Sequence, residues 1–459
     1  MMGRQDDGQD PFLYHFNLDD HIPQDHFLRH IDRVLDLKGL REHLAPHYSH
    51  TGRPSVDPEL MMRMLLIGYC FGIRSERRLC EEVQLNLAYR WFCRLSLEDK
   101  VPDHSTFSKA RHGRFRESDA LRFVFEQVVE RCLQEGLVGG EGFAIDASVV
   151  KADVNRRRVL DRDDDDDWPT PRRSTRAVRE YLAALDAGQE PPKRVSTTDP
   201  AARWTAAPKG PALFAYCTNY LADVAEGIIV DVEATPALRT AEVSATRTMI
   251  DRVEARFEIK PSRLIGDTSY GSAEIVGWMV EEKAIEPHVS LWERSERQDG
   301  TFSRSDFVFD PITNTYTCPG GKVLKQYRYK PKGERTGITK ANTRIYRASE
   351  LDCRHCPLKQ QCCPNVARRK IARSVHEAAR DVVRRLKETP AYLQSRKDRK
   401  KVEMLFAHLK RILKLDRLRL RGITGAHDEF LLAATAQNLR RMAKLMSTGP
   451  PQPRVSVCV

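Results

Sequence analysis

The chain has 459 residues, 41% of them hydrophobic, so it can bury a sizeable core and is expected to form two or three domains. Its 76 basic and 64 acidic residues give a formal net charge of +12, which favours a polyanionic partner such as nucleic acid. The first residues lack the apolar segment of a signal peptide, and no run of about 18 apolar residues occurs. We therefore expect no membrane partner and a cytoplasmic location.

The N-terminal third is predicted to be helical. Residues 1–56 are expected to be a polar segment with helical fragments, and residues 57–138 an all-helical module. Asp57, followed by proline, has the side chain of a helix N-cap, and Ser75 and Ser118 mark two further helix starts. Basic and aromatic residues alternate in YRWFCR and SKARHGRF, which favours DNA contact, although arginines on helix surfaces explain the same pattern.

The pattern changes in residues 139–285, which we expect to be the first part of an α/β core. EGFAIDASVVKAD alternates as a strand with Asp146 inside it, and SRLIGDTSYGS is an apolar strand that ends at Asp267. Strands followed by alternating strands and helices indicate a mixed sheet with helical cover. Residues 156–212 lose this periodicity and contain a run of acids, so we expect an irregular solvated insertion there.

Three segments complete the chain. Residues 286–370 are polar, favour β-strands and contain a cysteine group, and we expect an insertion there. Residues 371–446 are helical and are expected to complete the core. Residues 447–459 contain three prolines and are expected to form a loose tail.

The most distinctive stretch is the basic helix predicted over Arg396–Leu415, RKDRKKVEMLFAHLKRILKL. Its helical period places Arg396, Arg399, Glu403 and Lys410 on one stripe, so a single acid lies among cations. A neighbouring stripe of Val402, Leu405, Leu409 and Ile412 is apolar and can pack on a core. A solvated helix with ion pairs four residues apart would explain the stretch when it is taken alone.

Three carboxylates are candidates for metal binding. Asp146 lies inside a strand, Asp267 ends an apolar strand at a position where ligand clefts of α/β sheets form, and Glu403 lies on a helix. Such a set can hold two divalent cations about 3.5–4 Å apart for phosphodiester chemistry. A strand-end aspartate is also a common turn former, so the joint placement is the stronger indication.

In these residues the chain resembles the DDE transposases of bacterial insertion sequences. Asp146, Asp267 and Glu403 are similar to the family's catalytic triad, and Arg399-x3-Glu403-x6-Lys410 matches part of the Tyr-x2-Arg-x3-Glu-x6-Lys signature of one branch. Arg396 stands where the signature has tyrosine. Further similar blocks are PDHSTFSKAR, IDAS, TTDPAAR, GDTSYGS and QNLRRMAKL. The resemblance spans residues 57–445.

The resemblance implies a ribonuclease H-like catalytic domain and two Mg²⁺ or Mn²⁺ ions per active site, held by the three acids. It implies cutting of DNA at the terminal inverted repeats and joining of the 3′-hydroxyl ends to target DNA, by a homo-oligomer that acts at the nucleoid. Arg399, Lys410 and Arg396 are expected to contact phosphates. The alternatives are a ribonuclease H-like nuclease without strand transfer and a cleavage-inactive protein that still binds repeat DNA.

The cysteine group allows two interpretations. Cys318, Cys353, Cys356 and Cys362 include a CxxC pair and a CPGG turn, which are typical of a four-thiolate zinc site. Cys363 competes with Cys362 for the fourth place, and the spacing is irregular. Reduced structural thiols are the alternative, and we expect no catalysis there in either case.

Overall fold

The computed structural model describes residues 16–49, 51–52, 55–155, 159–161, 174–188, 191–206, 210–293, 297–327 and 337–447. These residues divide into two compact units. Unit 1 takes its residues from Met1–Gly139, Ala147–Glu258 and Glu403–Val459. Unit 2 takes its residues from Gly140–Asp146 and Ile259–Val402. The boundary therefore runs through one strand and one helix, and the two units are described separately.

Helices and strands are labelled in chain order. The α-helices are α1 (Leu18–His21), α2 (Phe27–Val34), α3 (Lys38–Leu44), α4 (Pro58–Cys70), α5 (Glu76–Leu85), α6 (Leu87–Phe92), α7 (His104–Ala110), α8 (Ala120–Gln134), α9 (Arg176–Asp186), α10 (Arg239–Phe257), α11 (Ala273–Gly277), α12 (Glu350–Arg354), α13 (Lys359–Cys362), α14 (Glu377–Leu386), α15 (Pro390–Arg411) and α16 (Ile423–Ser447). The strands are β1 (Gly142–Lys151), β2 (Val159–Asp161), β3 (Arg194–Ser196), β4 (Arg203–Thr205), β5 (Leu213–Asp223), β6 (Ile229–Pro236), β7 (Arg263–Ile265), β8 (Glu286–His288), β9 (Val308–Asp310), β10 (Thr315–Thr317), β11 (Val323–Tyr327), β12 (Thr343–Arg347) and β13 (Lys370–Ser374).

The helices at the start of unit 1 follow their capping residues. Asp57 accepts a hydrogen bond from the Glu59 N–H and begins α4, and Ser75 begins α5, as predicted. The prediction for Ser118 was wrong. Helix α8 begins one residue later, after Asp119 in the left-handed region (φ 56°), and the Ser118 hydroxyl donates to the Phe115 carbonyl instead. A serine hydroxyl can bond to a backbone carbonyl of the preceding turn as well as to a backbone N–H of the following helix. Ser118 does the first, so it does not cap the helix.

Helix α16 is the core of unit 1. It packs on α2, α4 and α8 and on strands β5 and β6, and most of its residues from Ala426 to Ala443 are buried. The Asn438 side chain pairs with the backbone N–H and carbonyl of Ile229 at 2.9 and 2.8 Å. Because this amide satisfies both groups at the first residue of β6, it fixes the helix against the sheet.

The sheet part of unit 1 is antiparallel around β5. Strands β4 and β6 both pair with β5, and the strand order continues from β5 to β1, whose residues from Ala147 belong to this unit. Helix α10 packs on β5 and β6. The predicted succession of two long strands and one long helix is thereby confirmed.

The irregular insertion expected over residues 156–212 is only partly found. Its described residues include helix α9, the antiparallel pair of strands β2 and β3, and strand β4. Ala177, Val178 and Tyr181 of α9 are buried, so this helix is part of the folded unit, and the expectation was wrong there. The acidic run at residues 163–167 lies outside the described residues.

Unit 2 begins with a parallel arrangement. The first residues of β1 pair in parallel with β7, and β7 pairs in parallel with β8. Between β7 and β8 the chain forms α11, which continues as one π turn at Trp278–Glu282 and buries Ile275, Val276 and Met279. The predicted strand-turn-helix around Asp267 is confirmed.

Among the described residues, each helix is either too short or too polar to cross a membrane.

A second sheet in unit 2 contains the cysteine group. Strands β9 to β13 form it, each paired antiparallel with the next. Its core is aromatic, with Phe307, Tyr316 and Tyr346 buried together with Cys353 and Cys363. The β-structure expected over residues 286–370 is confirmed, and we call this part the cysteine subdomain.

Candidate active site

Asp146 and Asp267 occupy equivalent positions on neighbouring strands of unit 2. The last paired residues of β1 and β7 are Ala144 and Ile265, and each aspartate comes two residues later (144 + 2 = 146 and 265 + 2 = 267). In a parallel pair, residues at matching positions lie side by side and face the same way. Both aspartates are half-buried. Two acids that are 121 residues apart in the chain (267 − 146) thus follow the same residue pair, Asp146 inside β1 and Asp267 just after the end of β7.

The Asp267 carboxylate is held by its own turn. Its Oδ1 accepts a hydrogen bond from the Ser269 N–H at 2.7 Å, and its Oδ2 lies 3.3 Å from the Ser269 hydroxyl. Both donors come from one residue, and no cation among the described residues forms an ion pair with Asp267. The carboxylate is therefore oriented by its own turn, with lone pairs left for a metal ion.

Two glycines allow this turn to fit. A Cβ on Gly266 would lie 2.9 Å from the Tyr270 ring and 3.3 Å from Ile145. A Cβ on Gly271 would lie 2.0 Å from the Ser290 carbonyl oxygen, which is a severe clash with backbone. The glycines of GDTSYG therefore serve close packing around Asp267, and this requirement explains why the stretch has that composition.

Glu403 is exposed on helix α15 and belongs to unit 1. The helix runs from Pro390 to Arg411. The helix predicted over residues 396–415 is therefore present, but it begins and ends earlier in the chain than predicted. Val402, Leu405 and Leu409 are buried as expected. Ile412 is 48% exposed and follows the helix end, so its place in the apolar stripe was wrong. The Lys414 backbone is already left-handed (φ 58°), which ends the helical period.

The cations near Glu403 in sequence have different surroundings. The Lys410 ammonium donates to the Val149 carbonyl of β1 at 3.0 Å, and burial lowers the pKa of Lys410. Arg399 is buried to a greater extent than Arg396, which is exposed. Lys410 therefore binds the backbone of the strand that carries Asp146, a contact that the sequence pattern does not predict.

The five cysteines line one small pocket of the cysteine subdomain, together with Asp352 and Arg369. The sulfurs of Cys356 and Cys318 lie 3.6 and 3.7 Å from the point where a Gly320 side chain would begin. Burial raises the pKa of the Cys362 thiol to about 11, so it is protonated at neutral pH. Among the described residues, no group of three or more His, Cys, Asp and Glu side chains is arranged to hold a metal ion. Thiols are the donor type that zinc takes in structural sites.

Sequence reasoning missed a buried carboxylate in unit 1. Asp199 of the TTDPAAR block is fully buried, and its Oδ1 accepts hydrogen bonds from the Tyr216 hydroxyl at 2.6 Å and the Gly422 N–H at 3.1 Å. Burial raises the pKa of Asp199 to about 6. It ties strand β5 to the start of α16, so the block has a structural role. An aspartate followed by proline was the available signal, although it indicates a turn equally well.

Two family models match the chain. A model described as Transposase domain (DUF772) matches residues 16–113, and one described as Transposase DDE domain matches residues 317–443. The second match includes Arg399, Glu403 and Lys410. These two matches support an enzyme of the transposase class, which acts on DNA. Within that class, the two matches support an insertion-sequence DDE transposase.

Proposed function

We propose that the protein cuts DNA at the ends of its own element and joins the freed 3′-hydroxyl ends to target DNA. The observation that carries the proposal is the matched position of Asp146 and Asp267, each two residues beyond the last residue pair between the parallel strands β1 and β7. Two acids placed in this way suit metal-dependent phosphodiester transfer, because that reaction depends on holding cations and phosphates in place.

The metal ligands in this proposal are Asp146, Asp267 and Glu403. Oxygen ligands of this type suit two Mg²⁺ or Mn²⁺ ions, which when bound would activate the attacking oxygen and neutralise charge on the leaving one. Glu403 is included as a metal ligand because it fits the Arg-x3-Glu-x6-Lys pattern and because the family match covers its helix. The Ser269 donors hold the Asp267 carboxylate in one rotamer before any ligand binds.

Three cations are proposed to contact phosphates. Arg399 and Lys410 lie one turn before and two turns after Glu403, and Arg396 is one turn further towards the N-terminus. Arg396 is exposed and can reach DNA without cost. Lys410 would exchange its bond to the Val149 carbonyl for a phosphate oxygen, a stronger charge-assisted partner.

The proposed fold of the catalytic core is ribonuclease H-like. The support is the antiparallel β5–β6 hairpin in unit 1 and the parallel β1–β7–β8 arrangement in unit 2, with strand β1 shared by the two. We further propose that residues 57–138 contact the element ends, and that the core comprises residues 139–285 and 371–446. Residues 286–370 form the insertion, and two copies of the chain act together on paired ends.

A structural zinc ion at Cys318, Cys353, Cys356 and Cys362 remains a prediction. The shared pocket of the five thiols supports it, and the lack of a metal-holding arrangement among the described side chains favours reduced thiols. Metal analysis of the purified protein decides between them. About one zinc per chain is expected for a four-thiolate site and none for reduced thiols.

The proposed function is tested with DNA that carries the element's inverted repeat, Mg²⁺ or Mn²⁺, and a target plasmid. Wild-type protein is expected to yield both cut ends and joined products, and Asp267→Asn is expected to bind the same DNA without cutting it. Cut ends without joined products would identify a nuclease. Binding by wild-type protein without any cut would identify an inactive repeat-binding protein, and undiminished cutting by Asp267→Asn would refute the assignment of this residue.

A further inference from the structure

The cysteine subdomain has a basic pocket, which lies between residues 297–301 and residues 362–370. Its volume is about 340 Å³. Four cations line it, namely Arg297, Arg368, Arg369 and Lys370, against the single carboxylate of Asp299. The charged side chains of the lining therefore sum to +3 (4 − 1).

The one acid of the basic pocket is already engaged. Asp299 Oδ1 accepts hydrogen bonds from the Thr301 N–H at 3.0 Å and from the Thr301 hydroxyl at 2.6 Å. Its Oδ2 lies 4.0 Å from Arg297 Nη1, a distance at which an exposed pair contributes little. Asp299 closes its own turn and offsets one cation at most.

Arg369 shows that the basic pocket is built into the fold. Its side chain is buried, Nη1 donates to the Cys362 carbonyl at 2.9 Å, and Nη2 donates to the Phe302 carbonyl at 2.7 Å. The guanidinium also lies 5.1 Å from the centre of the Phe307 ring. Two carbonyls and a ring orient this cation, but they do not neutralise it.

Within the part of the chain that the structure describes, Arg368, Arg369 and Lys370 form no ion pair, and Arg369 Nε has no hydrogen-bond partner. A buried cation without an anion is costly, and neighbouring cations add to the cost. An anion bound in the basic pocket would reduce both the cost of burying Arg369 and the repulsion between the neighbouring cations. The pocket is therefore suited to a negatively charged ligand.

The large cleft of unit 1 shows what an arginine-rich pocket looks like when its charges are balanced. This cleft, of about 530 Å³, also contains three arginines. Arg116 is paired with Asp428, and Arg252 is paired with Asp231 and Glu233. Arg122 shares Asp231, so every arginine of the cleft has a carboxylate partner. The two pockets have the same number of arginines, but those of the cleft leave no positive charge for a ligand.

We propose that the basic pocket of the cysteine subdomain binds a backbone phosphate of duplex DNA, an inference that rests on the proposed function. Guanidinium groups and an ammonium group are the side chains that bind phosphate best. Lys370 is exposed and Arg368 half-exposed at the rim, so a phosphate on a continuous strand can reach them without entering the core. A phosphate contact does not distinguish one base sequence from another. It would increase the affinity for DNA and orient the duplex on the protein.

The test compares two double variants of the full chain that lose the same charge. Arg368→Gln/Lys370→Gln removes the two rim cations, and Arg354→Gln/Lys340→Gln removes two exposed cations of the same subdomain outside the basic pocket. Fluorescence anisotropy with a mixed-sequence duplex of about three helical turns is measured over a series of NaCl concentrations. The rim variant is expected to bind about 10-fold more weakly, with a slope of log K against log salt reduced by about 1 to 2.

The control variant is expected to keep both affinity and slope close to wild type. Equal losses in the two variants would show that only net charge matters and would overturn the proposal, as would unchanged binding by the rim variant. Asn365→Asp adds a charge at an exposed lining position without removing a packed group and should weaken binding in the same direction. If inorganic phosphate protects wild type but not the rim variant from thermal unfolding while both bind DNA equally, the pocket takes a free anion and the proposal fails.

The outcome is separable from that of the proposed function. If the rim cations affect DNA binding but wild-type protein never cuts or joins repeat DNA, the transposition chemistry fails and the phosphate site stands. If cutting and joining are normal and the rim cations do not affect binding, the phosphate site alone fails.

Discussion

Two carboxylates of unit 2 have opposite surroundings. Asp267 lies half-buried at a strand end, with hydrogen bonds from Ser269 alone. Glu377 is 1% exposed at the start of α14 and is surrounded by Arg304 at 2.6 Å, Arg384 at 2.7 Å and Arg380 at 3.1 Å. Both groups are carboxylates of unit 2. Only the first keeps oxygens available for a ligand.

The difference separates a carboxylate that is available to a ligand, Asp267, from one that stabilises the fold, Glu377. Burial opposes ionisation of Glu377, but hydrogen bonds from Arg304 and Arg384 and the charges of the surrounding arginines hold its pKa at about 2. A charge so fully matched cannot take a metal ion without losing partners. Removing it should cost stability, whereas removing Asp267 should cost activity, and three experiments follow from this contrast.

The largest effect is expected from Asp267→Asn. Losing a metal-binding charge should lower the rate of DNA cleavage by about 10³-fold or more, while the free energy of unfolding changes little because the amide still accepts from the Ser269 N–H. Single-turnover cleavage assays and thermal denaturation measure the two quantities.

Asp310→Asn is the matched control for this variant. Asp310 also closes a turn, accepting from the Ile312 N–H at 2.9 Å and the Thr313 hydroxyl at 2.6 Å, and it lies in the cysteine subdomain. Its cleavage rate should equal that of wild type. If the two variants behave alike, Asp267 is a turn former and nothing more.

The second effect is expected from Glu377→Gln, which leaves three arginines without their shared anion. The free energy of unfolding should fall by about 3 to 5 kcal/mol, the usual result of breaking a buried ion pair. Denaturant unfolding monitors it. Glu350→Gln breaks only an exposed pair with Arg354 at 3.7 Å and should cost less than about 1 kcal/mol. Similar losses in both variants would contradict the contrast drawn between matched and exposed charges.

The smallest effect is the pH dependence of that stabilisation. The pKa of Glu377 is about 2 in the folded protein against an ordinary 4.5, so the folded state favours the ionised form. Its contribution is complete above pH 4.5 and is lost as the pH falls from 4.5 towards 2. The difference in unfolding free energy between wild type and Glu377→Gln should therefore shrink through this window. A difference that stays constant across it would show that folding does not lower the pKa of Glu377, and would contradict the stabilisation of its ionised form by the arginines.

Local features could be predicted because they depend on neighbouring residues. Asp57 and Ser75 cap helices, GDTSYG forms a turn after an apolar strand, and the basic stretch around Glu403 is helical, because capping and periodicity act over a few residues. The likeness of Asp146, Asp267 and Glu403 to the family triad was also visible in the sequence, and Glu403 lies within the match over residues 317–443.

Tertiary structure decided everything that depends on residues far apart in the chain. Helix α9 buries one face although its sequence lies between irregular segments, and Lys410 meets the Val149 carbonyl across 261 residues. The arginines around Glu377 and the uncompensated cations around Arg369 are the same kinds of residue, so residue type does not tell them apart. Whether a charge is matched depends on which side chains the fold brings within hydrogen-bonding distance. Amino-acid composition does not determine those distances.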